Sequence, residues 1–297
     1  MQDIITVSVV NYRAAWGDKQ ANLSKMEGYA RAAAAQGAQL VLFPEMALTG
    51  FDDQGEVSWA EKMQVKCAEP VPGPSTQRMS ALAQELGIWL IFGMPERAGD
   101  KVYNAAAVAA PDGKLFTHRK AHVAAPETNW AARGEGATVF DTPWGPMGLA
   151  ICYEVYRYPE LIRCARGRGA RLFLNPTAAS PAAEPAQHIR LALEAHTVFS
   201  HIFTASANLA GKDLYNDFYG GSCIIGPSPT QQPVCYHAGF PFDHPDAKRV
   251  GLYTATLDLT GVEDVVCMFR DNPAYGSPDF RPDLYARLYG ELAERSQ

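Results

Sequence analysis

Three polar residues of different chemistry stand at the ends of stretches that read as β-strands. Glu45 follows Leu40-Val41-Leu42-Phe43-Pro44, Lys120 closes the run ending His118-Arg119, and Cys152 closes Gly148-Leu149-Ala150-Ile151. In open α/β sheets the carboxyl ends of strands are where ligands bind. Taken singly, such a glutamate is ordinarily a solvated loop residue, the lysine surface charge and the cysteine an inert core side chain. Together they are a sufficient set for acyl transfer. A free thiol is only a few per cent thiolate at neutral pH, so Cys152 needs a general base, and Glu45 is the carboxylate on offer. Backbone N–H groups beyond the strand would favour the thiolate and help hold an oxyanion. Attack on an amide carbonyl develops oxyanion charge that Lys120 and the Tyr153 N–H would stabilise. Glu45, now protonated, returns its proton to the leaving amine, and a water activated by the same carboxylate releases the acid from the thioester.

The elements that must position these residues alternate between strand and helix, which predicts an α/β architecture. Ile4 to Val10 reads as a strand rich in β-branched residues, and Asp18 to Gln36 as a helix with Leu23, Met26, Ala30 and Ala33 on one face and Gly37 as its stop. Gln39 to Phe43 is a short buried strand. A helix after Ser75, closed by Gly87, leads into the strand Ile88 to Phe92, which Gly93 and Pro95 are expected to end. Tyr103 to Ala109 and Leu115 to His118 form a hairpin about the turn Pro111-Asp112-Gly113. Val139 to Asp141, the turn Pro143-Trp144-Gly145, the strand Met147 to Cys152, a helix from about Pro159 to Arg168 and the strand Arg171 to Leu174 follow. A helix over Ala186 to Ser200, strands at His201 to Ala207, Cys223 to Gly226 and Leu252 to Leu257, and a short helix near Asp283 to Arg295 complete the order. With no linker, low-complexity tract or long repeat, one domain over 1–297 is the economical reading.

Composition excludes several classes. The hydrophobic share of 47% and charged share of 20% are those of a globular chain. A formal net charge of -6 with no basic stripe argues against nucleic acid as a partner. No stretch has the length of a membrane span and the start carries no secretory pattern, so a cytoplasmic protein is expected. The six cysteines (67, 152, 164, 223, 235 and 267) include no CxxC pair and suit free thiols.

Leu42-Phe43-Pro44-Glu45, Arg119-Lys120-Ala121-His122 and Gly148-Leu149-Ala150-Ile151-Cys152-Tyr153-Glu154 resemble, in order and separation, the three catalytic motifs of the nitrilase superfamily of carbon–nitrogen hydrolases. The resemblance extends over Tyr158-Pro159-Glu160-Leu161, Asn175-Pro176-Thr177-Ala178, Ser206-Ala207-Asn208 and Tyr219-Gly220-Gly221-Ser222. It implies a four-layer αββα sandwich, self-association into a homodimer or larger homo-oligomer, and hydrolysis of non-peptide C–N bonds at a Glu-Lys-Cys site with no metal or other cofactor. On the same ground the C-terminal segment, about 260–297, is expected to pack on the domain or on a partner subunit.

Many members carry a second glutamate between the lysine and the cysteine. Glu127 is the candidate, with Glu135 behind it, because Arg133-Gly134-Glu135 departs from the Pro-Gly-Asp type of turn common there. Glu154 departs likewise from the aspartate of many amidase-like members. Tyr153, Glu154, Asn175 and Trp130 are the expected substrate-binding residues. Cys152-Tyr153-Glu154 favours an amidase or N-carbamoyl amide hydrolase over a nitrilase, where Cys-Trp-Glu is usual. A nitrilase using the same residues is the main alternative, and a catalytically silent binding protein of the same fold the remote one. The four-residue spacing of His118 and His122 has the look of metal ligands but falls in an extended segment with no third ligand.

Overall fold

The computed structural model describes residues 1–228, 230, 233–262 and 268–295. Its first strand, β1 (Ile4–Asn11), sends Ile5, Val7 and Val9 to one apolar cluster and Val10 to another. β2 (Leu40–Leu42) and β3 (Trp89–Ala98) repeat the alternation, with Leu40, Leu42 and Ile91 on the first face and Val41, Leu90 and Phe92 on the second. Both faces are covered, which is why these strands read as nearly unbroken apolar runs. β4 (Lys101–Ala109) and β5 (Leu115–Arg119) continue the sheet antiparallel.

The second sheet is built the same way. β6 (Thr138–Thr142) and β7 (Gly145–Leu149) form a hairpin, and β8 (Leu172–Thr177) and β9 (Phe203–Asn208) run parallel to β7. A small ribbon, β10 (Ala210–Lys212) with β11 (Asp217–Tyr219), precedes β12 (Cys223–Gly226) and β13 (Cys235–Gly239). β14 (Gly251–Asp258) then returns to the first sheet and pairs antiparallel with β1 from Ile4↔Asp258 to Asn11↔Gly251. The two sheet orders are β14-β1-β2-β3-β4-β5 and β13-β12-β9-β8-β7-β6.

One cluster joins the inner faces, where Val7, Leu40 and Ile91 meet Met147, Leu149, Leu172 and Leu174. Outside the first sheet lie α1 (Lys19–Ala35) and α3 (Pro74–Leu86), with the short α2 (Met63–Cys67) between them in sequence. Asp18 caps α1 by accepting from Ala21 N (2.9 Å), and Gly87 ends α3 in the left-handed region. Outside the second sheet lie α4 (Tyr153–Arg157), α5 (Pro159–Gly167) and α6 (Ala186–Ser200), whose Val155, Ile162 and Ile189 pack on Phe173 and Ile225. The layers are therefore α, β, β, α, as the resemblance implied. The final helix, α7 (Pro282–Arg295), has no buried residue and touches α5 through Tyr289 Oη to Glu160 Oε1 (2.5 Å).

Several boundaries differ from the sequence reading. β3 does not stop at Gly93 and Pro95 but runs to Ala98. β2 has ended by then, and on the side it leaves residues 93, 95 and 97 meet Pro44, Leu48 and Glu69 instead of a strand, so the missing proline N–H leaves no ladder bond to β4 unmade. β7 ends at Leu149, not Cys152, and α4 begins immediately after the cysteine. His201 opens no strand: it is the left-handed cap of α6, at φ 49°. Cys67, Cys152, Cys164, Cys223 and Cys235 are free thiols, and Cys267 lies outside the described residues. Among the described residues no helix is long and apolar enough to cross a membrane.

Candidate active site

The carboxyl ends of β2, β5, β7 and β8 converge on one point between the sheets. Beyond β2 the chain folds into a tight turn closed by Gly50 N to Met46 O (2.8 Å), and Glu45 opens that turn. Its backbone lies so close to β3 that a Cβ on Gly93 would come 2.5 Å from Glu45 Cα and 2.2 Å from Met46 N. Only glycine allows that approach. Lys120 follows β5, donating its N–H to Asn104 O (2.9 Å) and accepting from Gly134 N (2.8 Å). A Cβ on Gly134 would lie 2.1 Å from Arg119 O, so this glycine too is required by a backbone contact. Cys152 adopts φ 51°, ψ -110°, which non-glycine residues rarely do and which structures tolerate mainly at functional positions. Its N–H donates to Pro176 O (3.0 Å) and its carbonyl accepts from Val155 N (2.9 Å), so the strained residue is pinned on both sides.

Lys120 Nζ donates to Glu45 Oε1 and to Glu127 Oε2, each at 2.7 Å. Asn104 Nδ2 donates to Glu45 Oε1 (2.7 Å) and to Glu127 Oε1. All four side chains are buried. Glu45 Oε2 accepts no hydrogen bond of ordinary length and angle. The Cys152 thiol stands beside the Glu45 carboxyl and acts on it only as a weak partner, while Thr177 Oγ1 and the Ala178 N–H support its sulfur.

These surroundings set the proton affinities. Burial lifts the Glu45 carboxyl above the usual carboxylate range against the opposing pull of Lys120. Burial alone would lower the Lys120 ammonium, but Glu127 and Glu45 more than offset it and keep the proton on nitrogen. The Cys152 thiol is pushed well up, first by burial and then by Glu45. Both effects favour the thiol over the thiolate, next to a buried carboxyl with one oxygen free.

Residues 6–229 match the family model described as carbon-nitrogen hydrolase. The chain belongs to that family. Omega-amidase NIT2 of Homo sapiens is 32% identical to this hydrolase over 221 residues, 70% of this chain and 76% of the relative, and that of Mus musculus is 33% identical over the same shares. Nit3 of Saccharomyces cerevisiae, a member of branch 10 of the nitrilase superfamily, superposes with a TM-score of 0.75 at 25% identity, covering 88% of this chain and 93% of its own. An amidase of the superfamily from Nesterenkonia shares the fold, with a TM-score of 0.72 at 23% identity over 96% and 97% of the two chains.

In this carbon–nitrogen hydrolase a cavity of about 400 Å³ opens in front of Cys152. Lys120 and Glu127 form its floor beside the cysteine, with Phe51, Trp130, Tyr153 and Tyr156 as aromatic walls. Of the residues expected from sequence, Trp130 and Tyr153 line it. Glu127 rather than Glu135 reaches Lys120, because Glu127 sits within the short helical turn Ala125–Asn129, where its Oε2 also accepts from Ala124 N (2.7 Å), while Glu135 is exposed.

Asn175 and Glu154 do not line the cavity. Asn175 Nδ2 donates to Ala150 O (3.2 Å), and its Oδ1 accepts from Tyr156 Oη (3.3 Å) and Ser206 Oγ (3.1 Å), so its amide is spent behind the wall. Glu154 accepts from Ala121 N (2.9 Å) and Ile151 N (2.8 Å), and its Oε2 pairs with His118 Nε2 (2.8 Å). It thereby ties the Lys120 loop to the Cys152 loop. The other ring nitrogen of His118 lies 3.0 Å from Thr138 Oγ1, and His122 stacks on Tyr158, so the two histidines serve the scaffold. Among the described residues no group of three His, Cys, Asp or Glu is placed to hold a metal.

Sequence reasoning missed Asn104, Tyr156 and Thr177. A lone asparagine within Val102 to Ala109 was the available signal for the first.

Proposed function

We propose that Cys152, Glu45 and Lys120 hydrolyse a small amide, or its N-carbamoyl counterpart, through a covalent cysteine intermediate. The observation that carries the reading is the free Oε2 of a buried Glu45 beside the Cys152 thiol, with the other oxygen held by Lys120. Glu45 takes the thiol proton as sulfur attacks the carbonyl carbon. The carbonyl oxygen gains its charge within reach of the remaining Lys120 N–H and the Tyr153 N–H, which the ladder of α4 leaves unused. Glu45 passes the proton to the departing nitrogen, the C–N bond breaks, and a thioester remains. A water loses a proton to Glu45 and attacks the thioester, and the acid leaves as the thiol is re-formed. Glu127 holds Lys120 in place and keeps it charged. The omega-amidase and amidase names of the relatives support amides over nitriles.

A cytoplasmic homo-oligomer belongs to the same reading. The described thiols are all free, and α6 exposes Leu191, Val198 and Phe199, an apolar stripe that self-association would cover.

Ammonia release from aliphatic amides, N-carbamoyl compounds, ω-amido acids and nitriles tests the chemistry, with Cys152→Ala as control. Release from an amide class by the wild type alone is expected. Turnover of nitriles only, or substantial activity in Cys152→Ala, would sink the mechanism.

A further inference from the structure

The charges around the cavity bear on which acyl groups it admits. Asp52 and Asp53 stand on one side of it, Glu184 on another, and Glu127 on the floor. Among the described lining residues the one cation is Lys120, and its ammonium is shared between Glu45 and Glu127. Two of those carboxylates already hold a cation: Asp53 holds Lys62 Nζ (3.0 Å) and Glu184 holds Arg157.

Several neutral donors of the polar rim are committed as well. Asn216 Nδ2 donates to Asp52 Oδ1 (2.5 Å), Ser180 Oγ to Asn216 Oδ1 (2.9 Å) and Tyr156 Oη to Thr177 Oγ1 (2.7 Å). The backbone N–H groups of Tyr215 and Asn216 both point at Asp52 Oδ2 (2.8 and 2.9 Å). Between these polar groups the surface is apolar, with Ala124, Ala178, Ala179 and Ile189 beside the aromatic walls.

We infer that this site selects amides whose acyl chain is uncharged and apolar, and rejects amides that carry a second carboxylate, ω-amido acids included. A carboxylate entering here gives up its hydration, meets walls of its own sign and finds, among the described lining residues, no cation beyond the Lys120 ammonium already shared by two glutamates. An alkyl chain of the same length loses only water. The inference rests on the amide-hydrolysis reading for its substrates, but the charge selection belongs to the cavity and is measurable without turnover.

Two measurements separate the claims. Steady-state kinetics on butyramide, methyl succinamate and succinamate compare acyl chains alike in reach and different in charge. Both neutral amides are expected to exceed succinamate in kcat/KM by roughly 100-fold or more. Succinamate turned over as well as butyramide would overturn the inference. Alkylation of Cys152 by iodoacetamide and by iodoacetate, followed by the mass of its peptide and divided by the same ratio for 2-mercaptoethanol, reads the charge preference directly. A strong corrected preference for iodoacetamide is expected, and a corrected ratio near one would overturn the selection. Silence toward every amide with that preference intact would defeat the amide reading and leave the charge selection standing.

Discussion

Lys120 is among the largest side chains in the molecule with almost no contact with solvent. A buried ammonium persists where carboxylates surround it, and here two do. The cluster works as a unit, so its members fail in different ways. Lys120→Ala leaves two carboxyls facing each other in a dry site and is expected to cost about 3–5 kcal/mol of stability and roughly 10²–10³ in kcat. Glu45→Gln keeps the volume and an acceptor for Lys120 but removes the base, so kcat falls by about 10²–10⁴ with little change in Tm. Thermal melts beside steady-state assays of both variants check the contrast, and a Glu45→Gln enzyme with near wild-type kcat would remove Glu45 from the reaction. The meeting of Glu45, Lys120 and Cys152 was legible in the sequence because each is a polar residue that follows a stretch reading as a strand. Asn104 was not, since an asparagine inside a strand has no signature until the strand is placed between two glutamates. Nor was the burial of Asn175 behind Tyr156, which depends on how α4 packs against β8.

At the level of elements, the site depends on two close approaches and one bridge. Gly93→Ala puts a methyl group into the backbone of Glu45 and Met46. It is expected to destabilise the fold by about 1–3 kcal/mol and to lower kcat by roughly 100-fold, measured by denaturant unfolding and kinetics on the same preparation. Glu154 bridges the loops after β5 and β7, and its partners, His118 foremost, hold its carboxyl below the usual range against the opposing effect of burial. A depressed folded-state pKa gives stability that is complete above the unfolded value and fades as pH falls through the folded one. Glu154→Gln should therefore lower stability by about 3 kcal/mol at neutral pH, with the gap to wild type closing as pH drops below about 4. A gap constant down to strongly acidic pH would show that the bridge does not act through charge. The long elements were legible from apolar period and turn residues. α4 was not, because five residues after Cys152 carry too little pattern, and β13 was not, because Cys235–Gly239 is only half buried and so shows no clean alternation. Pro95 was misleading, since its effect depends on which side of β3 its missing N–H would have faced.

For the whole molecule, the exposed stripe on α6 and the unburied α7 leave apolar surface that the described residues do not cover. Sedimentation should find a dimer or larger species, and Phe199→Glu should shift it toward monomer by placing a charge on the stripe. A wild-type monomer at high micromolar concentration would remove the oligomer from the reading. One pairing described above also governs how the enzyme comes into being. The first strand borders the last, and Thr6 meets Thr256 across 250 residues of chain. A ribosome adding about 5–20 residues each second needs roughly 10–50 s to supply that partner. For that interval the nascent chain presents an apolar strand with one edge unpaired, open to any neighbour that offers a matching backbone. Messages cut short before codon 251 should thus yield chains that aggregate or are degraded, even though every proposed catalytic residue has already been translated.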